Sequence, residues 1–120
     1  MRKKILVAED DPDIGDMLRL MLEDMGYVVE IQRDGHFVQE MQVPFPDLLF
    51  LDVRLSGTDG RIICQQLKGN PITHHIPIVL LSAQNGMQDM TRDAGADTFL
   101  AKPFEREDLL ALVTHYLGNE

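Results

Sequence analysis

Five short, mostly apolar runs alternate along the chain with segments in which apolar residues recur at helical spacing. This alternation constrains the fold more than any other feature of the sequence. Runs of four or five such residues are expected of strands that are buried on both faces of a sheet. The predicted strands cover residues 5–8, 27–31, 48–51, 78–81 and 98–101.

An amphipathic helix is predicted after each strand, because apolar residues recur there every three or four positions. The first helix has Asp11 as N-cap and Pro12 in its first turn, and Gly26 can end it. The other four helices are marked by Phe37, Val38 and Met41; by Ile63, Cys64 and Leu67; by Met87, Met90 and Ala94; and by Leu109, Leu110, Val113, Tyr116 and Leu117. Five strand–helix units predict an α/β fold, a single doubly wound (βα)5 domain with a five-stranded parallel sheet covered on both faces.

Composition excludes several classes of function. With 11 basic and 20 acidic residues the formal net charge is −9, whereas nucleic acid and anionic membranes attract basic surfaces. No apolar run approaches the roughly 20 residues that a membrane helix needs. Cys64 is the single cysteine, so no intrachain disulfide can form. We therefore expect residues 1–120 to form one cytoplasmic domain that binds neither nucleic acid nor membrane directly.

Polar residues follow four of the predicted strands directly. In doubly wound sheets, sites form beyond the carboxyl ends of the strands, so these residues should converge at one edge. The set comprises Glu9, Asp10 and Asp11 after the first strand, Asp52 after the third, Ser82 and Ala83 after the fourth, and Lys102 and Pro103 after the fifth. The sequence thus predicts one pocket that holds several carboxylates, a hydroxyl and an ammonium group.

Clustered carboxylates repel one another unless a cation lies between them, and Mg²⁺ prefers oxygen ligands of this kind. The ammonium of Lys102 and the hydroxyl of Ser82 need an anionic partner, which a phosphoryl group supplies. We predict Asp52 as phosphoryl acceptor and metal ligand, because a carboxylate can attack phosphorus and no base accompanies Ser82. Asp10 is then the more direct metal ligand, and Glu9 binds the metal directly or through water.

These motifs together resemble the receiver domain of two-component response regulators. The resemblance covers the chain in order, through residues 5–11 (ILVAEDD), 49–53 (LFLDV), 56–60 (SGTDG), 81–83 (LSA), 95–97 (GAD) and 102–104 (KPF). It implies a flavodoxin-like sheet with strand order 2-1-3-4-5. It also implies that Mg²⁺ is required, and that a sensor histidine kinase or phosphotransfer protein donates the phosphoryl group from a phosphohistidine.

The resemblance further assigns roles to individual residues. The backbone carbonyl of Arg54 is implied as a metal ligand, the Lys102–Pro103 peptide as cis, and Ser82 and Ala83 as contacts of the phosphoryl group. Ser82 and Phe99 are implied as the switch that alters the surface of the fourth helix, fifth strand and fifth helix for a downstream effector. Phe99 has no hydroxyl, where many members carry Tyr, so its ring cannot act through a hydrogen bond.

Alternative functions fit the residues less well. An aspartyl-phosphate phosphatase needs a second carboxylate two positions after the nucleophile, where this chain has Arg54. A metal-free receiver would not need the acidic pair Glu9 and Asp10, and an electron carrier with a flavin phosphate loop would not place acidic residues after its first strand. We expect a phosphorylation switch that catalyses only its own phosphorylation and dephosphorylation, as a monomer or a phosphorylation-promoted dimer.

Overall fold

The five predicted strands form one parallel sheet. In this computed structural model, which describes residues 2–37, 41, 44–84 and 86–118, the strands are β1 (Lys4–Ala8), β2 (Val28–Gln32), β3 (Leu48–Asp52), β4 (Ile78–Ser82) and β5 (Thr98–Ala101). Neighbouring strands are parallel and lie in the order β2-β1-β3-β4-β5. The predicted fold class and the 2-1-3-4-5 strand order are confirmed.

Strands β3 and β4 end one residue later than predicted. Asp52 and Ser82 are the last residues of β3 and β4 and do not follow them. Asp52 lies opposite Leu81 in the ladder, and the amide of Val53 still donates to the Leu81 carbonyl at 3.0 Å. The neighbouring strand therefore continues to hold the backbone at the point where the acceptor candidate stands.

Four helices are described: α1 (Pro12–Asp24), α2 (Gly60–Lys68), α3 (Met87–Ala94) and α4 (Arg106–Leu117). The Asp11 side chain caps α1 by accepting a hydrogen bond from the Asp13 amide at 2.9 Å, as the sequence predicts. The helix predicted from Phe37, Val38 and Met41 includes residues 38–40, which lie outside the described residues. Within the described ranges, no helix is long and apolar enough to cross a bilayer.

Apolar side chains fill the space on both faces of the sheet, because successive strand residues point to opposite sides. On one face, Ile5 and Val7 of β1 pack with residues of α1 and α4. On the other face, Leu6 and Ala8 pack with residues of α2 and α3. This two-sided burial explains why the strands are nearly continuous apolar runs, and it leaves only the strand ends for polar chemistry.

A short antiparallel hairpin, which the sequence analysis did not predict, connects β3 to α2. Residues Arg54–Leu55 pair with Thr58–Asp59, and Ser56 and Gly57 form the turn between them. Gly57 has φ +70°, a left-handed conformation that glycine adopts without steric cost. The hairpin directs the chain back across the carboxyl end of β3.

Candidate functional site

The predicted convergence of polar residues at the carboxyl edge of the sheet is found in the structure. A pocket of about 370 Å³ opens there and is lined by Glu9, Asp10, Asp11, Asp52, Arg54, Ser82, Ala83, Gln84 and Lys102. These residues come from the ends of β1, β3, β4 and β5 and from the loops that follow. The pocket brings together all of the predicted site residues except Phe99.

Lys102 connects the carboxylates of two different strands. Its Nζ donates a hydrogen bond to Asp52 Oδ2 at 2.8 Å and lies 2.8 Å from Glu9 Oε1. The backbone amide of Lys102 donates to the Ser82 carbonyl at 2.9 Å, and the peptide to Pro103 is cis, as the resemblance implies. The side chain is 17% exposed, so its charge is only partly screened by water.

Glu9 is fully buried, which is unusual for a glutamate. Burial raises the pKa of the Glu9 carboxyl to about 7; the hydrogen bond and negative charge of Asp52 act in the same direction, and Lys102 acts against them. Among the residues that the structure describes, Glu9 Oε1 accepts no well-formed hydrogen bond, and its polar contact is the ion pair with Lys102 Nζ at 2.8 Å. A buried carboxylate oxygen that accepts no hydrogen bond is costly unless a cation lies beside it; Lys102 supplies one such charge, and a metal ion would supply another.

Asp52 is also buried, but its pKa moves in the other direction. Burial acts to raise the pKa of Asp52; hydrogen bonds from Glu9, from Lys102 and from the Arg54 amide together lower it below its usual value. The Arg54 amide donates to Asp52 Oδ1 at 2.9 Å. Burial acts to lower the pKa of Lys102, but the contacts of its ammonium with Asp52 and Glu9 raise it. Asp52 is therefore held as a carboxylate beside a lysine that keeps its charge.

The carboxylates fit a divalent metal ion. Glu9, Asp10 and Asp52 each offer an oxygen, and these atoms lie within 4.8 Å of one another. An all-oxygen set with excess negative charge is the kind of donor set that a hard cation such as Mg²⁺ prefers. Arg54, predicted to contribute its carbonyl, lies in the hairpin and lines the same pocket. These residues could therefore hold a metal ion.

The predicted switch residues occupy different places. Ser82 is buried, and its Oγ accepts a hydrogen bond from the Gln84 amide at 2.9 Å, so the following loop is folded onto the hydroxyl. Phe99 is partly buried and packs against the core cluster that includes residues of α2 and α3. The structure brings Ser82 into the pocket and leaves Phe99 outside it.

Two polar contacts at this edge were not predicted. With its amide oxygen facing Arg54, Gln84 accepts from Nη2 at 2.8 Å and from Nε at 2.9 Å. Ser56 Oγ donates to Asp10 Oδ2 at 3.2 Å. Arg54 and Gln84 each stand two positions after the last residue of a strand, so their place at this edge could have been predicted from the strand ends. The contact of Ser56 with Asp10 depends on the hairpin, which the sequence did not predict.

A family model described as the response regulator receiver domain matches residues 5–114. This chain belongs to the response regulator receiver domain family. The fold agrees with this assignment, because solved structures of response regulators and receiver domains superpose closely on this chain. A response-regulator structure from Chloroflexus aurantiacus J-10-fl has a TM-score of 0.89 and 34% identity, covering 98% of both chains.

Two further similarities bear on the site and on the extent of the chain. The receiver domain of sensor histidine kinase PA1611 from Pseudomonas aeruginosa PAO1, with a magnesium ion coordinated in its active-site cleft, has a TM-score of 0.88 and 28% identity over 98% of this chain and 99% of its own. The DNA-binding dual master transcriptional regulator RpaA of Synechocystis sp. is 41% identical over 113 residues, 92% of this chain. The receiver chain spans only 47% of the length of RpaA.

Proposed function

We propose that this receiver accepts a phosphoryl group on Asp52 from a phosphohistidine of a sensor histidine kinase or phosphotransfer protein. In this transfer a carboxylate oxygen of Asp52 forms a bond to phosphorus, and the bond between phosphorus and the donor imidazole nitrogen breaks. The products are an acyl phosphate and a neutral histidine after protonation of the ring. The chain would catalyse only this reaction and the later hydrolysis of its own acyl phosphate.

The observation that carries the proposal is the state in which Asp52 is held. Its carboxylate lies in a pocket, its pKa is lowered, and Lys102 Nζ is 2.8 Å from Oδ2. An ionised carboxylate is a competent nucleophile, and a fixed ammonium beside it stabilises the negative charge that the phosphoryl oxygens bring. We assign Lys102, the Ser82 hydroxyl and the Ala83 backbone as contacts of that phosphoryl group.

We propose Mg²⁺ as the cofactor, held by Glu9, Asp10, Asp52 and the Arg54 carbonyl. When bound, the ion supplies positive charge that offsets the carboxylates and the phosphoryl oxygens. The donor set supports this assignment, as does the magnesium ion in the cleft of the related Pseudomonas receiver.

For output, we propose that Ser82 and Phe99 rearrange together on phosphorylation and alter the surface formed by α3, β5 and α4. These elements correspond to the fourth helix, fifth strand and fifth helix predicted from the sequence. A downstream effector, or a second phosphorylated copy, would bind this surface. Phe99, Ala101, Pro103 and Leu112 line a largely apolar groove there, with Asp108 as its charged residue, which supports such a role.

We propose that residues 1–120 act as one cytoplasmic receiver unit, without direct contact to nucleic acid or membrane. The acidic net charge of −9 supports the absence of nucleic-acid contact. The relative RpaA is described as DNA-binding, but this chain spans about half its length.

Labelling with radioactive acetyl phosphate in Mg²⁺ tests the acceptor. Wild type should take up label that is lost on brief treatment with acid or alkali at high temperature, as expected of an acyl phosphate, and Asp52→Asn should take up almost none. Asp13→Asn, which removes an exposed carboxylate near the same edge, is the matched control and should label like wild type. Full, acid-stable labelling of Asp52→Asn would assign the phosphoryl group to a hydroxyl and overturn the proposal.

A further inference from the structure

The hydroxyl of Ser56 contacts one of the carboxylates of the acidic cluster. Ser56 Oγ donates to Asp10 Oδ2 at 3.2 Å, although the two residues are 46 positions apart in the chain. Asp10 is half-buried and belongs to the group of three carboxylates whose oxygens lie within 4.8 Å of one another. Ser56 itself does not line the pocket and offers no carboxylate to a metal.

The hairpin after β3 determines where the Ser56 hydroxyl points. Leu55 and Thr58 are paired across the hairpin, so Ser56 and Gly57 form a two-residue turn. Gly57 takes the positive φ that the turn requires. A parallel bridge between Ser56 and Asp34 then joins the turn to the segment after β2. The backbone of Ser56 is therefore fixed by the hairpin and by the bridge to Asp34, although the residue is exposed to solvent.

A hydrogen bond to one carboxylate oxygen leaves the other free and restricts rotation of the whole group. In metal sites, carboxylate ligands are commonly oriented by such outer partners, and loss of the partner typically lowers metal affinity by 10–100-fold. Without the hydroxyl, Asp10 would have to lose more side-chain freedom when it binds a cation.

We propose that Ser56 is a positioning residue that holds the Asp10 carboxylate in the orientation in which it binds the divalent metal ion. This inference rests on the proposed function, because it assumes that Asp10 is a metal ligand. Ser56 acts through Asp10 and does not touch the phosphoryl group or the ion. It would set the metal concentration at which the receiver can be phosphorylated, and not the identity of the phosphoryl donor.

Isothermal titration calorimetry of the metal-free protein with Mg²⁺ measures the effect without any phosphoryl transfer. Ser56→Ala, which removes one hydroxyl and no charge, should weaken Mg²⁺ binding roughly tenfold, at the lower end of the usual range because the serine is exposed. Ser56→Thr keeps the hydroxyl and should bind within about twofold of wild type. Thr114→Val removes a hydroxyl from the exposed face of α4 and should bind like wild type.

Melting in EDTA separates positioning from folding. Because the hydrogen bond of Ser56 is exposed, Ser56→Ala should melt close to wild type without metal, while the rise in melting temperature caused by Mg²⁺ should be smaller. Restoration of both Mg²⁺ affinity and the Mg²⁺-dependent rise by Thr would support a role of the hydroxyl itself. Equal loss of affinity in the Ala and Thr variants would overturn the proposal.

Asp10→Asn distinguishes failure of this inference from failure of the proposed metal site. If Asp10→Asn binds Mg²⁺ poorly and Ser56→Ala binds it as well as or better than wild type, Ser56 has no positioning role while the metal site stands. If Asp10→Asn binds Mg²⁺ as tightly as wild type, the metal site is wrong and the role of Ser56 is overturned with it.

Discussion

Lys102 and Asp52 are 50 positions apart in the chain and are joined by a hydrogen bond of 2.8 Å between Nζ and Oδ2. The same ammonium lies 2.8 Å from Glu9, so one cation serves two buried carboxylates from different strands. With Asp10 beside them, the cluster has more negative than positive charge. Because of this imbalance, removal of the lysine and removal of a carboxylate should have different effects on metal binding, phosphoryl transfer and stability.

Replacement of Lys102 should separate metal binding from phosphoryl transfer. Lys102→Ala removes a cation next to the metal-binding carboxylates, so we expect Mg²⁺ affinity, measured by calorimetry, to be unchanged or higher. Labelling by acetyl phosphate should fall sharply, because the phosphoryl oxygens lose a charged donor. Lys4→Ala, which removes a lysine paired with Glu30 near the start of β1, is the control. Collapse of metal binding with normal labelling would show that the assigned role of Lys102 is wrong.

The acidic residues after β1 should differ in their importance for metal binding. Asp10→Asn should weaken Mg²⁺ binding by about tenfold or more and slow phosphorylation, because it removes a charged oxygen from the cluster. Asp13→Asn should change little, since Asp13 is exposed in the first turn of α1 and stands outside the cluster. Calorimetry of both variants checks this. Equal losses would indicate a diffuse acidic surface and no defined site.

Asp52→Asn should stabilise the metal-free protein, and the gain should depend on pH. The pKa of Glu9 is raised to about 7 in the folded state, so the protonated form of Glu9 favours folding. This contribution of Glu9 to the free energy of unfolding is fully present below the pKa that Glu9 has in the unfolded chain, and it is lost as pH rises through about 7. Above that pH, Glu9 and Asp52 are both charged and repel each other. The lowered pKa of Asp52 means that its own charge contributes stability, which the mutant loses. In EDTA at about pH 8, relief of the repulsion with Glu9 should outweigh this loss, so the mutant should exceed wild type in free energy of unfolding by on the order of 1 kcal/mol.

Denaturant unfolding in EDTA at about pH 5.5 and about pH 8 measures this difference. The gain should shrink at the lower pH, where Glu9 is protonated, and saturating Mg²⁺ should also narrow it by binding to native wild type. Asp16→Asn, an exposed change on α1, should show no such pattern. A mutant less stable than wild type at the higher pH would contradict the idea of a strained cluster, since most substitutions destabilise.

Gly60 should tolerate no side chain, because it lies against the backbone of the acceptor residue. A Cβ on Gly60 would meet the carbonyl oxygen of Asp52 at 2.1 Å, and backbone atoms cannot rotate away. We expect Gly60→Ala to lower the free energy of unfolding by roughly 1–3 kcal/mol. Gly15→Ala is the matched control within α1: its Cβ would make ordinary contacts with Ile31 at 3.8 Å, so it should stabilise by about 0.5–1 kcal/mol. Similar stabilities of the two variants would contradict this packing.

Phosphorylation should change amide exchange most in α3, around Phe99 in β5 and at Arg106 in α4. The N-cap of α3 is Gly86, which offers no side-chain hydrogen bond, and the helix buries only Met87 and Ala94. A helix with so little buried surface is expected to be among the first elements to rearrange. Exchange measured with and without Mg²⁺ and beryllofluoride, a phosphoryl mimic, checks this. Changes confined to α1 would place the responsive surface elsewhere.

The amino-acid sequence by itself determined the strands, their alternation with the helices, which implies a parallel sheet, and the residues that stand at the strand ends. Burial on both faces requires apolar runs, and parallel strands must present their carboxyl ends at one edge, so Glu9, Asp52 and Lys102 could be brought together without coordinates. The assignment of the family followed from the same residues, in the same order.

Only the tertiary structure decided how those residues interact. Burial acts to raise the pKa of both Glu9 and Asp52, and their opposite shifts arise from different hydrogen-bond donors, which no local pattern encodes. The contact of Ser56 with Asp10 depends on a hairpin whose strands are two residues long, too short to leave a periodic signal. Periodicity reports which face of an element is buried, whereas distances of a few ångströms between side chains 46 or 50 positions apart depend on how the elements pack.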